Sequence, residues 1–556
     1  MAIYRDRSLI ISIFIIIIVT VITFWHAKDI FFQQDEWLGL GKAISRSDSG
    51  GLPSLIADLM PGDKPLVRLL PLTSIFNYIV FNLFGLKMWA YGVMSLGLAI
   101  INASIIYLAI RKLSKSSLIA LGAALFWVTS SLSSQAITWI GAVIPSQMSL
   151  TAFLGSLYFM LIYLDSVFKE RRWLIFSIIL MVVSLSFKES GIYYLITFPL
   201  LIWFLKDKLK DNFLARFKTM LLIVLPVFLV LIMPRLLSVF NHQTASSSAP
   251  TYFASSTNVI YNAFLLPARS AFHVFLPVGK IYENIYSASR VHYAEDAGLG
   301  GCAVECLIGD SFSLMVSFYI IVIILLTTLL INRDQKKIVL ISLASFFASL
   351  LPFILYQNRT TVLEIRYYIF PTLWMGVILS SICYYLLSKI PKFRLFLMLV
   401  IFVPLIAFNI MNIRKGMEVD VKVGEYRRQM LQTVTEIKPD LQKDNVFYFF
   451  TDNTGFYEFQ SGFGQTLAVW FYNTGKIPKE ALTDFDFYNS YYEGLKEYSE
   501  GKYGYFMTYE KLIIAFQNNP DLDVNVLHAY YWDHPKHTIK NVSFEIRNKL
   551  KSDLEK

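Results

Sequence analysis

From residue 8 to residue 412 the chain alternates long apolar runs with short polar stretches, and then the pattern stops. Runs of about 20 apolar residues are long enough to carry a helix across the ~30 Å hydrocarbon core of a bilayer. The pattern predicts 11 spans, near 8–26, 88–110, 118–134, 147–165, 173–188, 190–205, 219–237, 313–331, 338–356, 369–388 and 395–412. The run 66–85 is nearly as apolar but carries Arg68, Pro71 and two Asn. After residue 412 charge alternates: Gly416 to Lys438 reads as a surface helix, and Asn445 to Phe450 (NVFYFF) as a strand followed by the turn-like TDNTG. The expected fold is thus an α-helical polytopic membrane protein, 1–412, with a small extracytoplasmic α/β domain, 413–556.

Composition agrees with the pattern. Of 556 residues 55% are hydrophobic and 16% charged, with mean hydropathy +0.51; soluble domains are about a quarter charged. No small-residue cleavage site follows the first run, so Leu9 to Trp25 reads as a retained signal anchor. Of the three Cys, Cys383 falls inside a span, whereas Cys302 and Cys306 share a long loop, as a local disulfide or as free thiols.

Charge sets the orientation. Basic residues mark cytoplasmic loops, and they crowd five: Arg111, Lys112 and Lys115; Lys169, Arg171 and Arg172; Lys206 to Lys218; Arg333, Lys336 and Lys337; and Lys389, Lys392 and Arg394. With Arg5 and Arg7 also inside, all five loops are cytoplasmic only if 66–85 does not cross, so 66–85 is expected to lie along the outer interface. The outer side then holds the first loop 27–87, the turn at Phe187 to Ser190, the long loop 238–312 and the region 413–556. Arg414, Lys415, Arg427 and Arg428 run against this parity, outweighed by the five loops. The net charge of +10 comes largely from cytoplasmic loops and needs no nucleic-acid partner.

The outer rim carries the candidate chemistry. Asp35 and Glu36, in FFQQDEW, are two adjacent carboxylates just outside the first span. They serve either in acid/base work or as a solvated cap on an interfacial helix. Lys188 and Glu189 interrupt an otherwise apolar stretch. Lys188 can meet a phosphate, or the two can pair with each other at a helix turn. Arg366 offers forked donors to a phosphate, with Glu364 before it and Tyr367, Tyr368 and Pro371 after; on its own it also fits an interfacial Arg in an aromatic belt. Arg68, Arg235 and His273 are weaker candidates. The dense aromatics beyond residue 470 serve either as the core of the small domain or as platforms for sugar rings. Nucleotide sugars stay in the cytoplasm, so an outer-face enzyme would draw on a lipid-phosphate carrier. Such a donor needs cations for the phosphate, an apolar groove, and a carboxylate to activate the acceptor.

In this order and on this side, these residues resemble the GT-C glycosyltransferase superfamily, and within it the dolichyl/polyprenyl-phosphate-mannose–protein mannosyltransferase-like enzymes. Arg68-Leu69-Leu70-Pro71-Leu72 with Asn82-Leu83-Phe84-Gly85-Leu86 is similar to the family's "RPL … LFG" stretch. Ser186 to Gly191 is similar to its "SKE-small" turn, and Glu364-Ile365-Arg366-Tyr367-Tyr368 ahead of Pro371 to its "E-R-Y-x-x-x-P" stretch. The first motif departs in reading Arg-Leu-Leu-Pro-Leu, and 413–556 stands where the family's tetratricopeptide tail would be, so acceptor recognition does not carry over. The resemblance implies an inverting transferase of the cell envelope, in a bacterial plasma membrane, with its site on the outer face. The donor would be a polyprenyl-phosphate sugar, hexosyl or mannosyl, and the acceptor a protein, lipid or glycan. Asp35 would be the general base and Glu36 would orient substrate. Lys188, Arg366 and Arg68 would hold the phosphate, supported by Glu189, Glu364 and Tyr367. No cofactor is fixed; a divalent metal is allowed beside Glu36. The rival readings are a transporter or flippase of lipid-linked glycans, which predicts polar residues deep in the spans and an internal repeat, and a polysaccharide polymerase or ligase.

Overall fold

The computed structural model describes residues 7–33, 35–48, 50–59, 70–204, 213–233, 256–275, 318–331, 333–354, 365–387, 390, 392–437, 443–451, 463–473, 493–498 and 501–556. Within them, 7 helices are long and apolar enough to cross a membrane, or 8 if one pair bent by 63° is a single span. Every predicted span coincides with a helix. Seven meet that test alone; the other four fall on the bent pair Ser117–Thr129 and Ser131–Thr138, on Arg171–Phe187, and on the shorter Glu189–Phe204 and Phe318–Leu330. Large apolar side chains stay exposed along these helices, among them Phe14, Phe176, Phe217, Leu329 and Phe396. A soluble protein would bury such stripes, and here they suit lipid. The run 66–85 yields one 14-residue helix, Pro71–Phe84, short of the ~20 residues of a crossing.

Two expectations are corrected. The last span and the surface helix after it are one continuous helix, Arg394–Ile437, of 44 residues. The sequence suggested a break because its apolar run ends at 412 and Gly416 follows, but a single Gly costs a helix only about 1 kcal/mol and the helix runs through it. Within the expected loop 238–312 lies a 20-residue helix, Ser256–Phe275. Pro267, Asn258 and Asn262 break its apolar pattern, yet Asn262 donates to the Ile354 carbonyl at 3.2 Å and Ser270 meets the Tyr368 hydroxyl at 3.1 Å. Cys302 and Cys306 lie outside the described residues.

The chain divides into two compact units, one of Met1–Trp25, Pro61–Thr73 and Met94–Lys415, the other of His26–Met60, Ser74–Val93 and Gly416–Lys556. In the first, helices α1 (Arg7–Phe24), α2 (Met88–Ser114), α3 (Ser117–Thr129) and α4 (Ser131–Thr138) lead to a short helix Ile140–Val143. A π-helical turn, Ile144–Met148, then opens α5 (Ser149–Asp165). Then come α6 (Arg171–Phe187), a 3₁₀ turn Glu189–Tyr193 and α7 (Tyr194–Phe204). Helices α5 and α6 form a hairpin joined by two serine pairs: Ser149 with Ser184, hydroxyls 3.1 Å apart, and Ser156 with Ser177, 2.9 Å apart. Each pair also donates to the opposite backbone carbonyl. Lipid offers no hydrophobic drive between helices, so small hydroxyl residues are what let two backbones approach. Polar groups thus do lie deep in the spans, uncharged and paired with one another.

The second unit holds a five-stranded sheet. Strands β1 (Asn445–Phe450), β2 (Gly494–Tyr498), β3 (Gly501–Phe506), β4 (Leu527–Asp533) and β5 (Thr538–Asn541) lie in the order β2-β3-β1-β4-β5. The inner three are parallel and the edge pairs antiparallel. Helices cover both faces, which is why β1 is an unbroken apolar run. One face, with Val446, Tyr448, Leu527 and Ala529, packs on Leu512, Phe516 and Leu550 of helices Tyr509–Gln517 and Ser543–Leu554. On the other, Phe447 stands 6.1 Å from Phe471 of helix Phe463–Asn473. Tyr503, Tyr530 and Trp532 are buried in this core; the dense aromatics of 474–492 lie outside the described residues. Burial, with the Glu510 and Glu493 carboxylates nearby, pushes the Tyr448 hydroxyl up to about 12 and keeps it neutral.

Candidate active site

The acidic pair and the cations belong to different units. In the second unit, Asp35 opens the helix Asp35–Asp48; its side chain lies outside the described residues. Glu36 is 2% exposed, so it is not a solvated cap. Its backbone N–H donates to the Gln33 carbonyl at 2.9 Å while its carboxylate accepts the Gln33 N–H at 2.5 Å. The two bonds close a turn across the start of the helix, the acid reaching back to the N–H of a residue that precedes it. An aromatic cluster fixes the pair in place: Phe32 meets Trp37 at 5.2 Å and Tyr91 at 5.4 Å, and Phe31 meets Trp37 at 5.7 Å and Trp470 at 6.3 Å. Gly424 permits this, since a Cβ there would come within 2.9 Å of the Phe31 backbone nitrogen.

In the first unit the structure brings Lys188 and Arg366 to a single ring. The Lys188 ammonium stands 4.8 Å from the centroid of Tyr367, and the Arg366 guanidinium carbon 5.2 Å from the same centroid. Lys188 ends α6 in extended conformation, is 6% exposed, and donates to the Ser146 hydroxyl at 2.8 Å. The turn after it is tightly held. Thr73 donates to the Phe187 carbonyl at 2.5 Å. A Cβ on Gly191 would sit 3.0 Å from the Ser184 hydroxyl, which is already committed to Ser149. Arg366 lies in the 3₁₀ turn Ile365–Tyr368, stacks 4.2 Å from the Trp139 ring, and its backbone N–H donates to the Gln135 side chain at 3.2 Å. Both cations thus lie within 5.2 Å of one ring centroid, held by the attraction of an aromatic ring for positive charge.

Arg68 and Glu364 lie outside the described residues, as do Arg235 and the His273 side chain. Glu189 is half-buried in the 3₁₀ turn beside Lys188. Among the described residues no three of His, Cys, Asp and Glu gather as a metal-ligand set. Sequence reasoning missed Ser146, Gln135 and Trp139, because 135–146 falls between two predicted spans and carries no charged residue. Pro145, set in an apolar run with polar neighbours, was the available signal that the helix is irregular there; π-turns of this kind recur at functional sites.

No protein-family model matches the chain, and no curated protein does. Among solved structures, the crystal structure of ArnT from Cupriavidus metallidurans bound to undecaprenyl phosphate is similar, at 13% identity and a TM-score of 0.46 over 95% of this chain and 93% of that one. A score of this size leaves both family and function to be argued from this chain's own residues.

Proposed function

We propose that this protein is a membrane glycosyltransferase that takes a sugar from a polyprenyl-phosphate donor and passes it to an acceptor hydroxyl on the outer face of the membrane. The observation that carries the reading is the meeting of Lys188 and Arg366 at Tyr367. As the bond between sugar and phosphate breaks, negative charge builds on the leaving phosphate, and preorganised cations in a partly desolvated site stabilise that charge most where it develops. Arg366 would offer its fork, Lys188 a point charge, and Arg68 a third cation, with Glu189 and Glu364 holding the cations in place. Asp35, on a helix anchored by the hydrogen bonds between Glu36 and Gln33, would take the acceptor's proton, giving attack from the face opposite the phosphate and inversion at the anomeric carbon. The family resemblance favours a hexosyl or mannosyl donor; the acceptor is a protein, lipid or glycan. The five basic loops favour an outer-face site.

The test is a transfer assay in proteoliposomes with radiolabelled polyprenyl-phosphate sugars, run with and without a chelator. Wild type should release free polyprenyl phosphate. Asp35→Asn should insert and fold but lose transfer by at least the ~10²-fold typical of a general base, and Arg366→Ala should raise the donor KM. Near-normal turnover by Asp35→Asn would remove that role from Asp35. Wild type inert toward every donor would favour the flippase.

A further inference from the structure

We infer that Ser95 and Gln147 form a latch that sets the spacing of the two donor-binding cations, each acting as a positioning residue; the inference rests on the donor site proposed above. Both side chains are fully buried, at 1% and 0% exposure. Ser95, on α2, donates its hydroxyl to the carbonyl of Ile137, and accepts from the Gln147 amide at 2.9 Å. These two partners sit at two separate irregularities. Ile137 lies in the last turn of α4, just ahead of the break at Trp139, whereas Gln147 lies in the π-helical turn Ile144–Met148. Each irregularity supports one cation. The helix α4 carries Gln135, whose side chain accepts the Arg366 N–H, and the break carries Trp139, on which the guanidinium stacks. The π-turn carries Ser146, which accepts the Lys188 ammonium. A single serine hydroxyl thus connects both supports.

Helix breaks within a membrane persist only where the freed backbone groups find partners. Ser95 satisfies one such carbonyl and engages the other break through Gln147. Asn102 steadies the same turn, donating to the Gln147 carbonyl at 3.2 Å while accepting from Thr151 at 2.8 Å. Without the Ser95 hydroxyl both cations remain, but the distance between them loosens.

The test measures equilibrium binding of polyprenyl phosphate to the full-length protein in nanodiscs. The variants are Ser95→Ala, Ser95→Thr, Gln147→Met, Lys188→Ala and the double variant Ser95→Ala/Lys188→Ala. Ser95→Ala and Gln147→Met should each weaken binding about ten-fold, and Ser95→Thr, which keeps the hydroxyl, should bind as wild type. In the Lys188→Ala background the Ser95 change should add little, a coupling that generalised loosening would not produce. If Ser95→Ala does not fold, Gln147→Met carries the same comparison. Wild-type affinity in both, or losses that multiply independently with Lys188→Ala, would overturn the latch and leave the donor site standing. No binding by wild type would overturn both.

Discussion

Gly92 lies where a Cβ would sit 2.2 Å from Lys28 Cα and 2.5 Å from its backbone nitrogen. The obstruction is backbone and cannot rotate away. Gly92→Ala should therefore destabilise the protein by about 1–3 kcal/mol, the usual penalty for overpacking. Gly97, with nothing within 4 Å of such a Cβ, should accept alanine neutrally. Thermal unfolding of the two variants side by side checks this. Charge is what made single residues legible. Lys188 and Arg366 stood out because ionised groups are costly inside apolar runs. Their neighbours Ser146 and Gln135 did not, because Ser and Gln are common at helix ends; they become partners only through a π-turn and a broken helix that apolar periodicity does not record. For Glu36 the sequence offered a choice between acid/base work and a solvated cap, and its burial with a hydrogen bond from the Gln33 N–H removes the solvation.

At the scale of elements, the α5–α6 hairpin shows how the Lys188 turn is held. Ser149 and Ser156 are seven residues apart on one helix, as are Ser177 and Ser184 on the other, so each pair recurs every two turns on the facing stripe. Removing one pair of hydroxyls, in Ser156→Ala/Ser177→Ala, should cost only about 0.6 kcal/mol, typical of a hydrogen bond between membrane helices. Ser156→Leu should cost several times more, because a large side chain forces the backbones apart at a buried position. Unfolding in mixed micelles separates the two outcomes. All the predicted spans have helices because twenty apolar residues dictate one whatever surrounds them. The helix Ser256–Phe275 escaped notice because its polar residues are satisfied by other helices, and a single sequence does not show those partners.

For the molecule as a whole, the surprise is how the second unit is assembled. The sequence placed the acidic pair in a loop of the membrane domain, with a separate domain after residue 412. In the structure the residues around Asp35 and Glu36 share a compact unit with Gly416–Lys556. No local pattern announces that Phe31 will pack against Gly424 and Trp470. Deleting residues from Gly416 onward should accordingly leave 30–48 unprotected in hydrogen exchange, while α5 and α6 keep their protection. Protection retained at 30–48 would show that the acidic helix needs no C-terminal support.

That shared core also imposes an order on biogenesis. The first stretches of the unit leave the ribosome roughly 320 residues ahead of Gly416, which at about 5–20 residues per second is a delay on the order of tens of seconds. During that interval the acidic helix and its aromatic neighbours lack the packing that Gly424 and Trp470 supply to Phe31. The nascent protein therefore passes through a stage in which its membrane helices are inserted while the acidic helix still waits for its partners, exposed to quality control until the last quarter of the chain arrives.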